Sequence, residues 1–320
     1  MITKDTVTRL KVKYGINSKI LLENVISKIR TKNIEGNDIL ISPVQEIGDG
    51  SIRAQSKAAE IEDLSVFNYN SLSMANKTRF VIGISGGKDS TVAAVLFQHI
   101  FGKDRVYGVS MNRSSDIVNR DESLAIKEKY FDNDHWIESP ISNEMIKYFI
   151  PVNLPDDIEN YESENLLSSN GFLRNLFARI RMCKLYVIAQ NYVPHGRVVN
   201  TSNRSESYVG WSTKWGDNVG DVFPLSDLTA HEVVMIGEEL GIPDELLYKQ
   251  PKDGMTGSTD EDSLGISYET LDDYLISNGN HLFIEENEDG TLKKDALQKI
   301  KILHENSRHK IFKLNWWELI

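Results

Sequence analysis

Apolar positions recur with helical spacing in some stretches of the chain and run unbroken in others, and the changes of pattern mark its elements. Between 18 and 32, SKILLENVISKIRTK places Ile20, Leu21, Val25, Ile26 and Ile29 on one helical stripe. The following EGNDILISPVQEIGDGS breaks that stripe with Gly, Pro and Asp. This predicts a single N-terminal helix within a helical segment at 1–34, then a polar insert at 35–78. The insert carries no motif with readable chemistry.

From Arg79 the pattern changes. RFVIGI is a short β-branched apolar run of the kind that makes a buried parallel strand, and it ends in the Gly-rich turn SGGKDS. TVAAVLFQHIFG then predicts a helix closing at Gly102. Further strands are expected at 105–111, 135–139 and 197–203, with a charged helix near 120–131 and a long helix from Leu173 to Asn191. Strands alternating with helices at this spacing imply an α/β fold: a doubly wound parallel sheet with helices on both faces. Ligands of such sheets lie beyond the carboxyl ends of the strands, where SGGKDS and NTSNRSE both fall.

Thr229 and Glu232 form a T-x-x-E capping box at the start of a later helix, which Gly241 and Pro243 close. A last helix near 292–305 aligns Leu292, Ala296, Ile300 and Leu303. One domain is therefore expected from 79 to 280, with 281–320 supplying its C-terminal helix and a substrate-contacting tail.

Composition narrows the partners. The 320 residues carry 36 basic and 47 acidic side chains, a net charge of −11, with no Lys/Arg block. Phosphate neutralisation along a nucleic acid needs clustered positive charge, so no nucleic-acid partner is expected, whereas a few placed cations would still serve a small anionic substrate. MITKDTVTRLKVKYG lacks the apolar core of a signal peptide, and no stretch approaches the roughly 18 apolar residues of a membrane span. No membrane partner and a cytoplasmic location are the expectation. Cys183 is the single cysteine, which excludes an intrachain disulfide and fits a reducing compartment; it falls mid-helix among Leu and Ile, as a core position would.

The loop Ser85-Gly86-Gly87-Lys88-Asp89-Ser90, entered through Gly83 and Ile84, lies between a strand and a helix. Its backbone N–H groups face one spot, where the helix dipole also favours an anion. It is not a Walker A loop, because Gly83 and Gly87 enclose three residues and Lys88 is followed by Asp. A carboxylate in a phosphate loop makes electrostatic sense when a divalent cation bridges it to the phosphates, so Asp89 reads as a magnesium ligand. Elsewhere, Asn175 and Arg179 are four apart on one helix face, and Arg179, Lys214 and Lys310 supply cations suited to a pyrophosphate or carboxylate.

The pattern SGGxDS resembles the signature of the PP-loop ATPases, which split ATP between the α and β phosphates and adenylate their substrate. Within that group, TSNRSESYVGWSTKWGDNVGDVFPLSDLT closely resembles the ammonia-dependent NAD synthetases, with Thr201, Glu206, Gly210, Thr213, Lys214, Gly216, Asp217 and Asp221 all matching. NLFARIRM with Asn175 and Arg179, TDEDSLGISYETLDDYL at 259–275, and His309-Lys310 follow in chain order. The likeness spans roughly 79–312 and leaves the preceding insert outside.

The resemblance implies a Rossmann-like fold of the PP-loop type and a carbon–nitrogen ligase of the EC 6.3.1.5 type. ATP would be held by Gly83 to Ser90, Thr201 and Lys252, with Mg2+ on Asp89 and Glu206. Deamido-NAD would be held by Asn175, Arg179, Lys214, Asp217, Asp221, His309 and Lys310. Asp217 would orient or deprotonate ammonium, and a homodimer with active sites near its interface would be the working form. Ammonia is the expected nitrogen donor, since glutamine-using relatives add an amidase domain with a nucleophilic cysteine. The chain departs from the pattern twice: Ala230 stands where the family has Lys, and Lys252 where it commonly has Thr or Ser. Lys252 is expected to carry its ammonium into the space left at Ala230. Two other readings stay open, another PP-loop adenylating enzyme and a nucleotide-binding protein that has lost activity.

Overall fold

The computed structural model describes residues 1–34, 78–113, 117–142, 145, 148, 171–249, 259–278 and 291–311. Two helices open the chain where the apolar pattern gave one: α1 (Lys4–Tyr14) and α2 (Ser18–Ile34). The first is short and mostly charged, so its signal is local rather than periodic. Thr3 and Thr6 make a reciprocal capping box, and Gly15 at φ 61° stops the helix in the left-handed region. Only Thr6, Val7 and Leu10 are buried. In α2 the buried stripe is centred on Leu22, with Leu21, Val25, Ile26 and Ile29 packed beside it. Ile20 is 53% exposed, because two residues back from Leu22 is nearly the opposite side of a helix.

Four strands form the sheet: β1 (Arg79–Gly83), β2 (Val106–Ser110), β3 (Trp136–Glu138) and β4 (Gly196–Val199). Their order is β3-β2-β1-β4 and every pairing is parallel. The helices between them are α3 (Lys88–Phe101), α4 (Ile117–Tyr130) and α5 (Gly171–Asn191). Successive residues of β1 serve opposite faces. Val81 packs with Phe177, Ile180 and Leu185 of α5, while Phe80 and Ile82 pack with Ala94 and Phe97 of α3 and Ile126 of α4. Burial on both faces is why RFVIGI is apolar without alternation. The expected doubly wound parallel sheet is the observed one.

β4 is shorter than the expected 197–203. At Asn200 the side-chain Oδ1 accepts the N–H of Ser202 at 2.8 Å, a turn that competes with further pairing. Three residues later Asn203 caps α6 (Arg204–Val209), so a strand end becomes a helix start within a few residues.

The remaining helices are α7 (Ala230–Glu239), α8 (Asp244–Leu247), α9 (Asp260–Leu264), α10 (Tyr268–Ile276) and α11 (Thr291–Ile311). The capping box at Thr229 and Glu232 is present in both directions. The C-terminal helix runs past the expected 305 to Ile311, with Ile300 fully buried and Ala296 and Leu303 at the flank of the same cluster. Its passage over Gly210 needs a glycine there. Gly210 sits at φ 66°, and a Cβ would meet that of Ser307 at 2.0 Å.

A buried polar knot joins four of these elements. His231 Nδ1 lies 2.6 Å from Asp272 Oδ2 and its Nε2 lies 3.0 Å from Thr6 Oγ1, while Ser205 Oγ donates to Asp272 Oδ1 and accepts the Ala230 N–H at 3.0 Å. Every member has partners, as burial demands. Thus α1, α6, α7 and α10 are held in one arrangement behind the strand ends. Among the described residues, no helix is long and apolar enough to cross a membrane.

Candidate active site

The Gly-rich loop between β1 and α3 is shaped by its own hydroxyls. Gly86 takes φ 90°, Ser85 Oγ accepts the Gly87 N–H at 3.2 Å, and Ser90 Oγ donates to the Gly87 carbonyl at 3.0 Å. Thr91 Oγ1 donates to the same carbonyl at 2.9 Å. The turn is therefore preset without a ligand. Gly83, Ile84 and Ser85 open into a cavity of about 580 Å³, with Thr201 across from them at the end of β4. The strand-end location expected from the topology is where the cavity lies.

One corner of the site is acidic. Asp89 lies in the first turn of α3 and Glu206 in the first turn of α6, and Asn203 connects them. Its side-chain amide donates to Asp89 Oδ1 at 3.2 Å, while its backbone N–H donates to Glu206 Oε2 at 3.1 Å. Asp260, the first residue of α9, approaches the same corner and lines the cavity. Burial pushes the Glu206 carboxyl well above the usual carboxylate range, and the neighbouring Asp89 charge adds to this. Burial raises Asp260 likewise, against the opposing pull of Lys88. Tyr268, almost fully buried, is raised well above its ordinary value by burial and then by Glu206, Asp260 and Asp89.

Lys88 enters this corner from α3. Its ammonium is 2.7 Å from Asp89 Oδ2 and 5.9 Å from the centre of the Tyr268 ring. Burial alone would lower its pKa, but Asp89, Glu206 and Asp260 together hold it above the ordinary value. Among the described residues, no group of three or more His, Cys, Asp or Glu could hold a metal ion. Two hard carboxylates beside a phosphate loop nevertheless suit magnesium, which is bound through one or two carboxylates plus phosphate and water oxygens.

The opposite wall is basic. Arg174 and Arg181 of α5 line the cavity with Arg113 from beyond β2 and Lys310 from α11. The sequence reading missed the three arginines. The available signal was the stripe Arg174, Ala178, Arg181, Leu185 at helical spacing, all four of which face the cavity. The loop over the cavity is pinned from several sides. Thr213 Oγ1 donates to Asn175 Oδ1 at 2.7 Å, and the Lys310 ammonium donates to the carbonyls of Gly210 and Ser212 at 2.8 and 2.9 Å. Asp217 accepts the Thr213 N–H. Asp217 is exposed and lines the cavity, so solvent there offsets the upward push that the neighbouring protein gives its carboxyl.

The expected dinucleotide contacts divide. Asn175, Asp217 and Lys310 line the cavity, whereas Arg179, Lys214, Asp221 and His309 lie outside its lining. Arg179 does share a helix face with Asn175, but that face braces the loop: its Nε donates to the Lys214 carbonyl at 3.1 Å. Asp221 is turned back to the sheet, where Oδ2 accepts the Val198 N–H at 2.8 Å and Oδ1 accepts from Tyr186 at 3.3 Å. His309 is exposed and bonded to the Asn306 carbonyl. Lys252 lies outside the described residues. Ala230 is fully buried beside Tyr208, Val209 and Leu264, so its site is filled by apolar packing. Cys183 corrects the core reading, since α5 is a core helix but presents this residue on its exposed side.

These features have counterparts among known proteins. The chain is 34% identical over 221 residues to an NH3-dependent NAD+ synthetase of Methanocaldococcus jannaschii, covering 67% of this chain and 79% of that one. It is 32% identical over 255 residues to the corresponding enzyme of Finegoldia magna, covering 79% and 93%. Among solved structures, the NMN synthetase of Francisella tularensis superposes with a TM-score of 0.62 at 22% identity, over 94% of this chain and 98% of that one. The NH3-dependent NAD synthetase of Campylobacter jejuni superposes at 0.58 and 19% identity, over 94% and 98%. A family model for NAD synthase matches residues 60–313, so the likeness begins upstream of Arg79, inside the insert that the motifs left out. With the phosphate loop, the strand-end cavity and the loop at 210–217 all inside that match, the chain belongs to the NAD synthase family.

Proposed function

We propose that this chain is an ATP-dependent ligase that amidates the nicotinate carboxylate of deamido-NAD with ammonia, giving NAD, AMP and pyrophosphate. The observation that carries the reading is the pairing of opposite chemistries in one cavity. The start of the phosphate loop, Gly83 to Ser85, and Asp260 line the cavity together with Arg113, Arg174, Arg181 and Lys310, and the Asp89–Asn203–Glu206 cluster lies beside that loop, outside the lining. A triphosphate with its metal suits the loop and its carboxylates, and an anionic substrate suits the basic wall.

The loop, from Gly83 through Ser90, and Thr201 bind ATP, with Ser85, Gly86, Gly87 and Ser90 cradling the β and γ phosphates. Asp89 and Glu206 would hold Mg2+, which when bound supplies charge neutralisation at the triphosphate. Asn175, Arg181 and Lys310 orient the dinucleotide so that a carboxylate oxygen reaches the α-phosphorus in line with the leaving pyrophosphate. The P–O bond to pyrophosphate breaks as the new P–O bond forms, leaving a mixed anhydride. Asp217, which lines the cavity and accepts the Thr213 N–H, orients or deprotonates ammonium beside the anhydride. The ammonia then adds to the activated carbonyl carbon, and AMP leaves with the bonding electrons. Arg179, Lys214 and His309 frame the rim over which the rest of the dinucleotide extends, Asp221 holds the end of β4, and the assignment of Lys252 to ATP is supported by the family resemblance alone. The family resemblance supports a homodimer and a cytoplasmic setting.

The test follows AMP, pyrophosphate and NAD in reactions that omit each substrate in turn. All three products should require ATP, deamido-NAD and Mg2+, and NAD should require ammonium. AMP release that does not depend on deamido-NAD would overturn the reading, as would ATP binding with no turnover.

A further inference from the structure

Lys88 does something that a phosphate loop does not need. Adjacent residues of a helix point about 100° apart and do not face each other, yet Lys88 and Asp89 converge, with Nζ 2.7 Å from Oδ2. The Lys88 side chain is 8% exposed and the Asp89 side chain 19%, so this is not a solvated surface pair. The charges of carboxylates from two other elements, Glu206 of α6 and Asp260 of α9, also act on the ammonium, which lies 5.9 Å from the centre of the Tyr268 ring of α10. One buried cation is thus paired with Asp89, placed near Tyr268 and held in the field of two further carboxylates. The same Asp89 and Glu206 are the carboxylates that suit a divalent ion.

We infer that Lys88 is an internal counter-ion that competes with the divalent cation, holding Asp89 and Glu206 together in the nucleotide-free protein and keeping metal affinity low until a triphosphate arrives. The inference rests on the assignment of Asp89 and Glu206 as the metal-binding pair. A dication placed on Asp89 meets the ammonium at close range in a largely desolvated corner, where like charges repel strongly. Only added negative charge offsets that repulsion, and the polyphosphate of ATP brings it to the adjacent loop. Metal and nucleotide therefore bind cooperatively, each raising the affinity for the other by the same factor.

Mn2+ binding to the full chain without nucleotide, followed by electron paramagnetic resonance of the free ion, reads this directly. Lys88→Met should bind Mn2+ at least about tenfold more tightly than the unmodified protein, while Lys88→Arg, which keeps the charge, should bind it as weakly. Equal or weaker binding by folded Lys88→Met would overturn the inference. Asp89→Asn separates the two layers: it should abolish Mn2+ binding even when combined with Lys88→Met. Retained binding in that double variant would overturn the metal-site assignment and this inference with it. Should Lys88→Met fail to fold, pulse acetylation of the unmodified protein gives the second reading. Saturating Mg2+ alone should make Lys88 label several-fold faster, and an unchanged rate would overturn the competition.

Discussion

The acidic corner beside the phosphate loop and the basic wall of the cavity meet at Asp260 but are built in opposite ways. The corner draws on helix starts: Asp89 and Glu206 each lie in a first turn, where exposed N–H groups favour negative charge, and Asn203 ties them within one short motif. The wall is assembled from Arg113, Arg174, Arg181 and Lys310, which are distant in sequence and meet only because α5 and α11 close over the strand ends. A chain with net charge −11 has thereby sorted its charges so that one site offers both signs. On the proposed function the corner would receive a cation and phosphates, and the wall the anionic substrate.

Changes in the corner should break function most. Asp89→Asn and Glu206→Gln should each lower pyrophosphate release from ATP plus deamido-NAD by about 10²–10³-fold or more at saturating Mg2+, with the fold intact by circular dichroism. Near-normal release by either would remove that carboxylate from the machinery. The wall should respond less and more selectively. Arg181→Ala should weaken deamido-NAD binding by about 1–3 kcal/mol, with a smaller effect on ATP, as expected for a lost charge-assisted hydrogen bond. Arg179→Ala and Lys214→Ala, outside the cavity lining, should cost under about 1 kcal/mol. Equal losses for Arg181 and Arg179 by calorimetry would erase the distinction between lining and rim.

The seam between the regions is Gly210, where α11 crosses the loop. Gly210→Ala should destabilise the fold by roughly 1–3 kcal/mol in urea unfolding, through its positive φ and the contact with Ser307. Ser307→Gly should recover part of that loss, and a neutral Gly210→Ala would contradict the close approach. The smallest effect runs opposite to function. Because burial raises the folded-state pKa of Glu206, the folded chain binds more protons than the unfolded one between the ordinary glutamate range and that raised value. Stability from this group falls as pH rises through that window. Glu206→Gln should therefore raise Tm of the metal-free protein by about 1–3 °C at neutral pH while abolishing turnover. A lowered Tm would show that the carboxylate is already compensated.

The same contrast explains what the sequence reveals. Part of the corner was legible because its chemistry is local: SGGKDS follows an unbroken apolar strand and carries Asp89, whereas Glu206 came from the family resemblance, and Asn203, which caps the helix ahead of it, and Asp260 were not picked out. The doubly wound sheet was legible from strand and helix alternation. The wall was only partly legible, since Asn175 and Lys310 could be named but Arg113, Arg174 and Arg181 depend on which side of α5 meets the cavity. Sharing a helix face with Asn175 did not take Arg179 into the cavity, because the loop at 210–217 lies on that face. The α1 helix escaped because a capping box and two buried apolar residues give no period to detect. Cys183 misled for a related reason: apolar neighbours along the chain do not fix which way one position of a helix points.

The central claim is that the substrate carboxylate is adenylated before ammonia attacks. Deamido-NAD carrying heavy oxygen in its nicotinate carboxylate, turned over with unlabelled ATP and ammonium, tests this by mass spectrometry of the products. The mechanism predicts one heavy oxygen in each AMP and none in pyrophosphate, because the attacking carboxylate oxygen stays with the α-phosphorus when the anhydride breaks. AMP without the label would contradict it.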